Sequence, residues 1–267
     1  MIPKIIHYCW YGNKEKPVKF QRYMDTWKKW GGGYEVIEWN ETNCDLQCNS
    51  YIRKAVENKN WAFVSDYFRL RALYEFGGIY LDTDVEIYKS FDDLLSKKGF
   101  VGYMHDALIG TAVLGFEKKN LFIKKLLDLY DNAEWIEGKY DLFRIKFENG
   151  DSYLCNANNS VFTWAVFHFY DNFKLNGKYQ ETEDFSVFPK TEFEIGTFWG
   201  KRSHCVHRCE SSWKTKNNKK ELYKIVKNAV KYIPIIHMDA IIRNISYKNH
   251  MQKSVFYERY LHDTASA

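Results

Sequence analysis

Two aspartates one residue apart, Asp82 and Asp84, sit in the stretch IYLDTDVEIY at residues 79–88, directly after Gly77 and Gly78. In an extended chain residues i and i+2 point to the same side, so the two carboxylates converge and Thr83 faces away. Paired carboxylates repel each other unless a cation lies between them or one is protonated. Carboxylate oxygens suit Mg²⁺ or Mn²⁺, and these ions commonly share their shell with substrate phosphates. The carboxyl ends of strands in an open α/β sheet are where ligands bind. The pair is thus a candidate metal site for a diphosphate. The plainer alternative is a solvated turn with two acids, because D-x-D is a short motif.

A second polar pair lies just upstream. Asp66 and Arg69 are spaced i,i+3 in WAFVSDYFRLRALYEF, on one face of a helix expected over 61–76. An acid and a guanidinium beside a metal-bound diphosphate would suit gripping sugar hydroxyls. The alternative is a surface ion pair.

The elements needed to position these groups are legible. KIIHYCW at 4–10 reads as a buried first strand. Pro17 opens a helix over 17–30 in which Phe20, Met24, Trp27 and Trp30 recur at helical spacing, and GGG at 31–33 ends it. YEVIEW at 34–39 alternates like a strand, 50–59 reads as a short helix, and Gly77 stops the helix over 61–76. Further strands are expected at 100–104, 111–116 and 185–189, with helices at 119–132 and 158–172. Residues 133–156 read as a loop-rich insertion. The order implies an α/β layer with a mostly parallel sheet.

Aromatics make up 18% of the 267 residues, which fits a ring-filled core as well as a sugar or base site. Charge is uneven: residues 214–267 carry eleven Lys/Arg against four Asp/Glu, while the whole chain is +5, so residues 1–213 come out near −2. A basic tail on a near-neutral body argues against nucleic-acid binding. It gives a two-part division, a catalytic domain at 1–213 and a basic helical appendage at 214–267. Along 220–233, Lys220, Lys224, Lys227 and Lys231 share one helical face and Leu222, Val226, Ala229 and Ile233 another. That pattern fits either packing on the catalytic domain or peripheral contact with an anionic membrane through 214–233. The N-terminus has no secretory pattern and no run reaches membrane-span length, so a cytoplasmic protein is expected, peripheral on the inner membrane face at most, with its six cysteines as free thiols.

IPKIIHYCWYG at 2–12, SDYFRLRALYEFGGIYLDTDVEI at 65–87 and HRCESSW at 207–213 together resemble glycosyltransferase family 32, whose members include bacterial capsular-polysaccharide transferases. The likeness runs through 2–95, with weaker echoes at 110–131 and 204–213. It implies a GT-A-type fold, a Rossmann-like mixed and mostly parallel sheet flanked by helices. It implies Mn²⁺ or Mg²⁺, a nucleotide-sugar donor with UDP favoured, a saccharide or lipid-linked acceptor, and transfer with retention in surface-polysaccharide synthesis.

By position, the resemblance makes Asp84 the direct metal ligand and brings Asp82 to the donor's ribose or sugar, and through a water to the metal. Asp66 and Arg69 hold the transferred sugar. Trp10 stacks on the nucleobase, and Trp213 closes over the donor or anchors the tail. His207 is the third metal ligand. Arg208 stands where the family commonly has a second His, so Glu210 and Ser212 are rivals for that place.

Three other readings compete. D-x-D also marks phosphohydrolases of the haloacid-dehalogenase type, although their motif follows a longer strand nearer the start of the chain. The aromatics and basic tail would also suit a non-enzymatic carbohydrate- or polyanion-binding protein. Cys44, Cys48, Cys205 and Cys209 with His204 and His207 raise a zinc site, but the x₃ spacing does not match the usual structural patterns.

Overall fold

The computed structural model describes residues 1–13, 15–195, 203–210 and 238–265, with side chains from 243 onward in the last segment. The expected helix at 220–233, together with Ser212 and Trp213, lies outside the described residues.

The chain opens with β1 (Ile5–Cys9), α1 (Val18–Trp30), β2 (Glu35–Trp39), α2 (Ser50–Glu57), α3 (Trp61–Phe76), β3 (Gly78–Leu81) and β4 (Val85–Ile87). Then follow β5 (Gly99–His105), β6 (Leu108–Phe116), α4 (Leu121–Asp131), β7 (Glu134–Trp135), β8 (Phe143–Lys146) and β9 (Ser152–Cys155). After α5 (Asn158–Phe169) come β10 (Gln180–Glu181), β11 (Ser186–Phe188), α6 (Lys190–Phe193) and β12 (Cys205–His207). Two helices end the description, α7 (Met238–Met251) and α8 (Tyr257–Ala265).

Seven strands form the main sheet in the order β10-β11-β5-β6-β3-β1-β2. Both β2 and β3 run parallel to β1, and β11 runs parallel to β5, whereas β6 is antiparallel to both β3 and β5. Five strands therefore point one way and β6 and β10 the other. This is the mixed, mostly parallel, helix-flanked sheet expected for a GT-A-type protein.

Two apolar clusters cover the two faces of this sheet. One joins Phe68 and Leu70 of α3 to Phe122, Tyr130 and Phe162 of α4 and α5. The other joins Trp27 of α1 to Ile6, Ile79, Phe100 and Phe193. Among the described residues the twelve largest fully buried side chains are all aromatic, Trp27, Tyr51 and Tyr130 included. The aromatic richness of the sequence is therefore largely used in packing.

Helix α3 has no single apolar stripe, in keeping with its cover by the sheet on one side and by α2 and α4 on the other. Asp66 and Arg69 are consequently buried, at 8% and 6% exposure, and the surface-ion-pair reading falls. Gly77 and Gly78 link α3 straight to β3 with φ of 69° and 111°. A Cβ at Gly77 would lie 2.6 Å from the Lys118 backbone nitrogen, so this abrupt reversal needs glycine.

Several expectations are corrected. Residues 133–156 are loop-rich as expected but also hold three short strands paired antiparallel as β7-β8-β9, which the sequence reading did not include. Phe143 and Ile145 point into the core while Lys146 is exposed, a period-two pattern too short to stand out in the sequence. In α1 the buried face is Phe20, Tyr23 and Trp27, and Trp30 is 39% exposed. Asp82 and Asp84 do not lie on an extended strand: β3 ends at Leu81, and the amide of Val85 donates to the Asp82 carbonyl across a turn at 3.0 Å.

Candidate active site

The turn between β3 and β4 sits at the carboxyl end of β3, beside the carboxyl end of the parallel neighbour β1. It faces two sets of side chains. Asp82 looks toward α3. One Arg69 terminal nitrogen, Nη1, lies 3.4 Å from Asp82 Oδ1, and the other, Nη2, lies 2.9 Å from Asp66 Oδ1. Nη1 also donates to the Thr111 carbonyl of β6 at 2.8 Å. The guanidinium lies 4.5 Å from the centre of the Tyr80 ring, whose hydroxyl donates to Asp82 Oδ1 at 2.9 Å. Arg69 is thus fixed from four sides, and both carboxylates are turned toward the same planar fork.

Asp84 looks the other way and is buried. Its Oδ1 lies 3.3 Å from His207 Nε2, and its Oδ2 accepts the Glu210 amide at 2.6 Å. The contact is made by sheet register: β12 pairs antiparallel with β4, His207 opposite Val85, which brings the histidine beside the residue preceding Val85. The Arg208 amide donates to the Asp84 carbonyl at 2.9 Å and closes the same ladder. Trp27 fastens the turn from below, its indole nitrogen donating to the Val85 carbonyl at 2.8 Å.

Burial would raise the Asp84 carboxyl, but the facing His207 and the Glu210 amide hold it down at about 2. Burial lifts Asp66 to about 6, with Arg69 pulling it down and Asp82 pushing it up. The turn is therefore not a solvated pair of acids. One aspartate is firmly ionised, and a neighbouring carboxyl is poised near neutrality.

Asp82, Asp84 and His207 each offer a ligand atom, and these atoms all lie within 4.8 Å of one another. Two carboxylates and one imidazole form a hard, negatively charged donor set, and the spacing suits one small divalent cation with positions left for substrate oxygens. These residues fit the Mn²⁺ or Mg²⁺ that the sequence reading implied.

Of the rivals for the third ligand, Glu210 has its carboxylate on Lys19 at 2.8 Å and Tyr23 at 3.0 Å, toward α1. Arg208 is turned to Glu86, with Nε at 2.8 Å. Trp10 lies one residue beyond β1, half-buried against Phe20 with ring centres 5.8 Å apart, at the same end of the sheet as the aspartates. The cysteines are free thiols. His204 is held between Glu192 and Asp93, and Cys44 bonds the Tyr11 hydroxyl at 3.0 Å.

Sequence reasoning missed Glu194, Arg243 and Tyr247, which surround the far side of His207. Nothing local in the sequence marks them, because they are separated from His207 by 13, 36 and 40 positions.

Residues 17–101 match the family described as a glycosyltransferase sugar-binding region containing a DXD motif, with Asp82 and Asp84 inside the matched segment. Residues 17–101 thus carry the sugar-binding region of a glycosyltransferase family, in line with the family 32 resemblance of the sequence. Among curated relatives, an uncharacterized protein of Arabidopsis thaliana is 38% identical over 66 residues, 25% of this chain and 10% of that one. Inositol phosphoceramide mannosyltransferase 3 of Schizosaccharomyces pombe is 29% identical over 130 residues, 47% of this chain and 36% of that one. The chain thus spans between 10% and 36% of the length of these two relatives. A solved structure titled PaToxG glycosyltransferase aligns at 22% identity and a TM-score of 0.44, over 64% of this chain and 70% of that one.

Proposed function

We propose that this chain is a metal-dependent, retaining glycosyltransferase. It moves a sugar from a nucleotide-sugar donor, UDP-linked in the favoured case, to a saccharide or lipid-linked saccharide acceptor of a surface polysaccharide. One observation carries this reading. The two acids of the D-x-D turn are divided between tasks, Asp82 joining the Asp66–Arg69 fork and Asp84 joining His207.

A divalent cation bound by Asp84, His207 and Asp82 would offset the charge that grows on a departing nucleoside diphosphate. The chain's own residues do the rest. Ionised Asp66 accepts hydrogen bonds from hydroxyls of the transferred sugar, and Arg69 donates to them from a fixed plane. That orientation contributes to rate only if it is held rigidly, and the contacts of Arg69 to Asp66, Asp82, Thr111 and Tyr80 supply the rigidity. Trp10 offers a ring to the base. With no enzymic nucleophile evident beside the turn among the described residues, front-side attack by the acceptor, with the departing phosphate taking its proton, is the mechanism that suits retention.

The phosphohydrolase reading is less favoured. Its first aspartate must be free to attack phosphorus, whereas Asp82 is engaged by Tyr80 and Arg69. Among the described residues no helix is long and apolar enough to cross a membrane. Peripheral contact through 214–233 and the division at residue 213 rest on the sequence pattern.

A thermal-shift screen of nucleotide sugars with and without Mn²⁺ tests the reading. A donor at about 100 times its dissociation constant adds about 2.7 kcal/mol. At roughly 2–4 °C per kcal/mol, the melting point should rise by several degrees, and only with metal. No shift with any donor, together with phosphatase activity that survives, would overturn it.

A further inference from the structure

His207 is gripped on its far side by a buried polar group. Its Nδ1 lies 3.0 Å from Oε2 and 3.1 Å from Oε1 of Glu194, and its amide donates to the Glu194 carbonyl at 3.1 Å. Glu194 is itself held from the C-terminal helix α7. Arg243 Nη2 donates to Oε1 at 2.9 Å, and the Tyr247 hydroxyl donates to the same oxygen. Arg243 also reaches the His207 carbonyl through Nη1 at 2.5 Å and the Tyr247 hydroxyl through Nη2 at 2.9 Å. Glu194, Arg243 and Tyr247 are all buried.

We propose that Glu194, braced by Arg243 and Tyr247, is the positioning residue that holds the His207 ring with Nε2 toward Asp84, so that α7 completes the cation site. The inference rests on the cation site proposed above. Burying a carboxylate and a guanidinium together is rarely the cheapest way to anchor a helix, since apolar residues of the same size do as well or better. The arrangement has a directional result that apolar packing lacks. The Glu194 carboxylate takes the Arg243 guanidinium and the Tyr247 hydroxyl on Oε1, so it is fixed in place to accept from His207 Nδ1. With a cation bound at Nε2, that carboxylate would hold the imidazole proton on Nδ1 and keep Nε2 turned toward Asp84. Without that partner the ring could flip or take the other tautomer.

The neighbouring triplet Glu194, His207 and Cys209 also has ligand atoms within 4.8 Å of one another. It does not serve as a second cation site here, because the Arg243 guanidinium lies 2.9 Å from Glu194 and 3.4 Å from the Cys209 sulfur. A fixed positive group already occupies the place where a cation would gain its attraction.

The test is a double-mutant cycle on the full chain, read as Mn²⁺ affinity by paramagnetic resonance at one pH, with folding followed by circular dichroism. Glu194→Gln should weaken Mn²⁺ binding about 10–100-fold, the usual effect of removing a partner that orients a ligand. Tyr247→Phe, which leaves both charges in place, should weaken it a few-fold. In a His207→Ala background Glu194→Gln should have no further effect, because its influence passes through the histidine. Unchanged affinity in folded Glu194→Gln and Tyr247→Phe, or a full effect of Glu194→Gln without His207, would overturn the proposal. If Glu194→Gln does not fold, the Tyr247→Phe result decides. The cation site itself is judged separately. Asp84→Asn must also lose Mn²⁺ binding, and if it does not, or if wild type binds none, both readings fall.

Discussion

Arg69 bridges two carboxylates that the sequence separates by sixteen positions: its Nη2 lies 2.9 Å from Asp66 and its Nη1 3.4 Å from Asp82. A helix residue and a turn residue are thereby locked to one planar group. In the proposed reaction this couples the grip on a sugar to the position of the D-x-D turn.

Arg69→Lys should lower kcat more than it raises KM, because a lysine keeps the charge and loses the fork that holds both acids at once. The loss should reach tenfold or more in kcat, measured by steady-state donor turnover. Equal kinetics for the two residues would mean the bridge is structural only.

Asp84→Asn should abolish transfer and donor hydrolysis while the protein stays folded. The change keeps the shape and removes the charge that faces His207. Activity, Mn²⁺ affinity and the melting curve check it together. Full metal-dependent activity in the variant would remove Asp84 from the site.

The Asp66 carboxyl, lifted to about 6, makes opposite predictions for stability and activity. A carboxyl whose folded-state pKa is raised binds its proton more tightly in the folded chain. Its contribution to stability is full below about pH 4 and is lost as pH rises through about 6. The ionised form is the one that accepts sugar hydroxyls, so kcat/KM should fall as pH drops below about 6. Melting curves and pH–rate profiles should both flatten over this window in Asp66→Asn. A rate limb at the same pH in that variant would assign it elsewhere.

Trp10→Ala should raise KM for the donor, since an aromatic ring stacked on a base contributes about 1–3 kcal/mol. The ring also packs on Phe20, so the folded fraction must be measured alongside. Lower stability with unchanged KM would make Trp10 a packing residue.

Charge reversal at Lys224, Lys227 and Lys231 should weaken binding to anionic vesicles and lower transfer to a lipid-linked acceptor, while donor hydrolysis is spared. Each lysine near an anionic surface contributes about 1 kcal/mol, and salt should screen it. If wild type ignores such vesicles at low salt and the variant keeps its activity, the helix expected at 220–233 serves packing alone.

What the sequence determined by itself is local. The helix over 61–76, its glycine stop, the short strand after it and the D-x-D pair follow from periodicity and backbone preference within one window of residues. Those features also carried the family resemblance, because Asp66, Arg69, Asp82 and Asp84 stand in one continuous string. Their burial did not show, since a helix covered on both sides has no amphipathic pattern to read.

The tertiary structure decided which remote groups complete the site. His207 reaches Asp84 because β12 pairs with β4 in one register, with His207 opposite Val85. A slip of one residue would turn the histidine to the other face, and no local sequence signal sets that register. The same ladder sends Arg208 to Glu86, while Glu210 turns to Lys19 and Tyr23. Glu194 meets Arg243 across 49 positions, a contact created only when α7 packs against the sheet. Spacing along a chain governs neighbours within a turn or a strand. Contacts between distant segments are settled by which packed arrangement buries the core and pairs its charges.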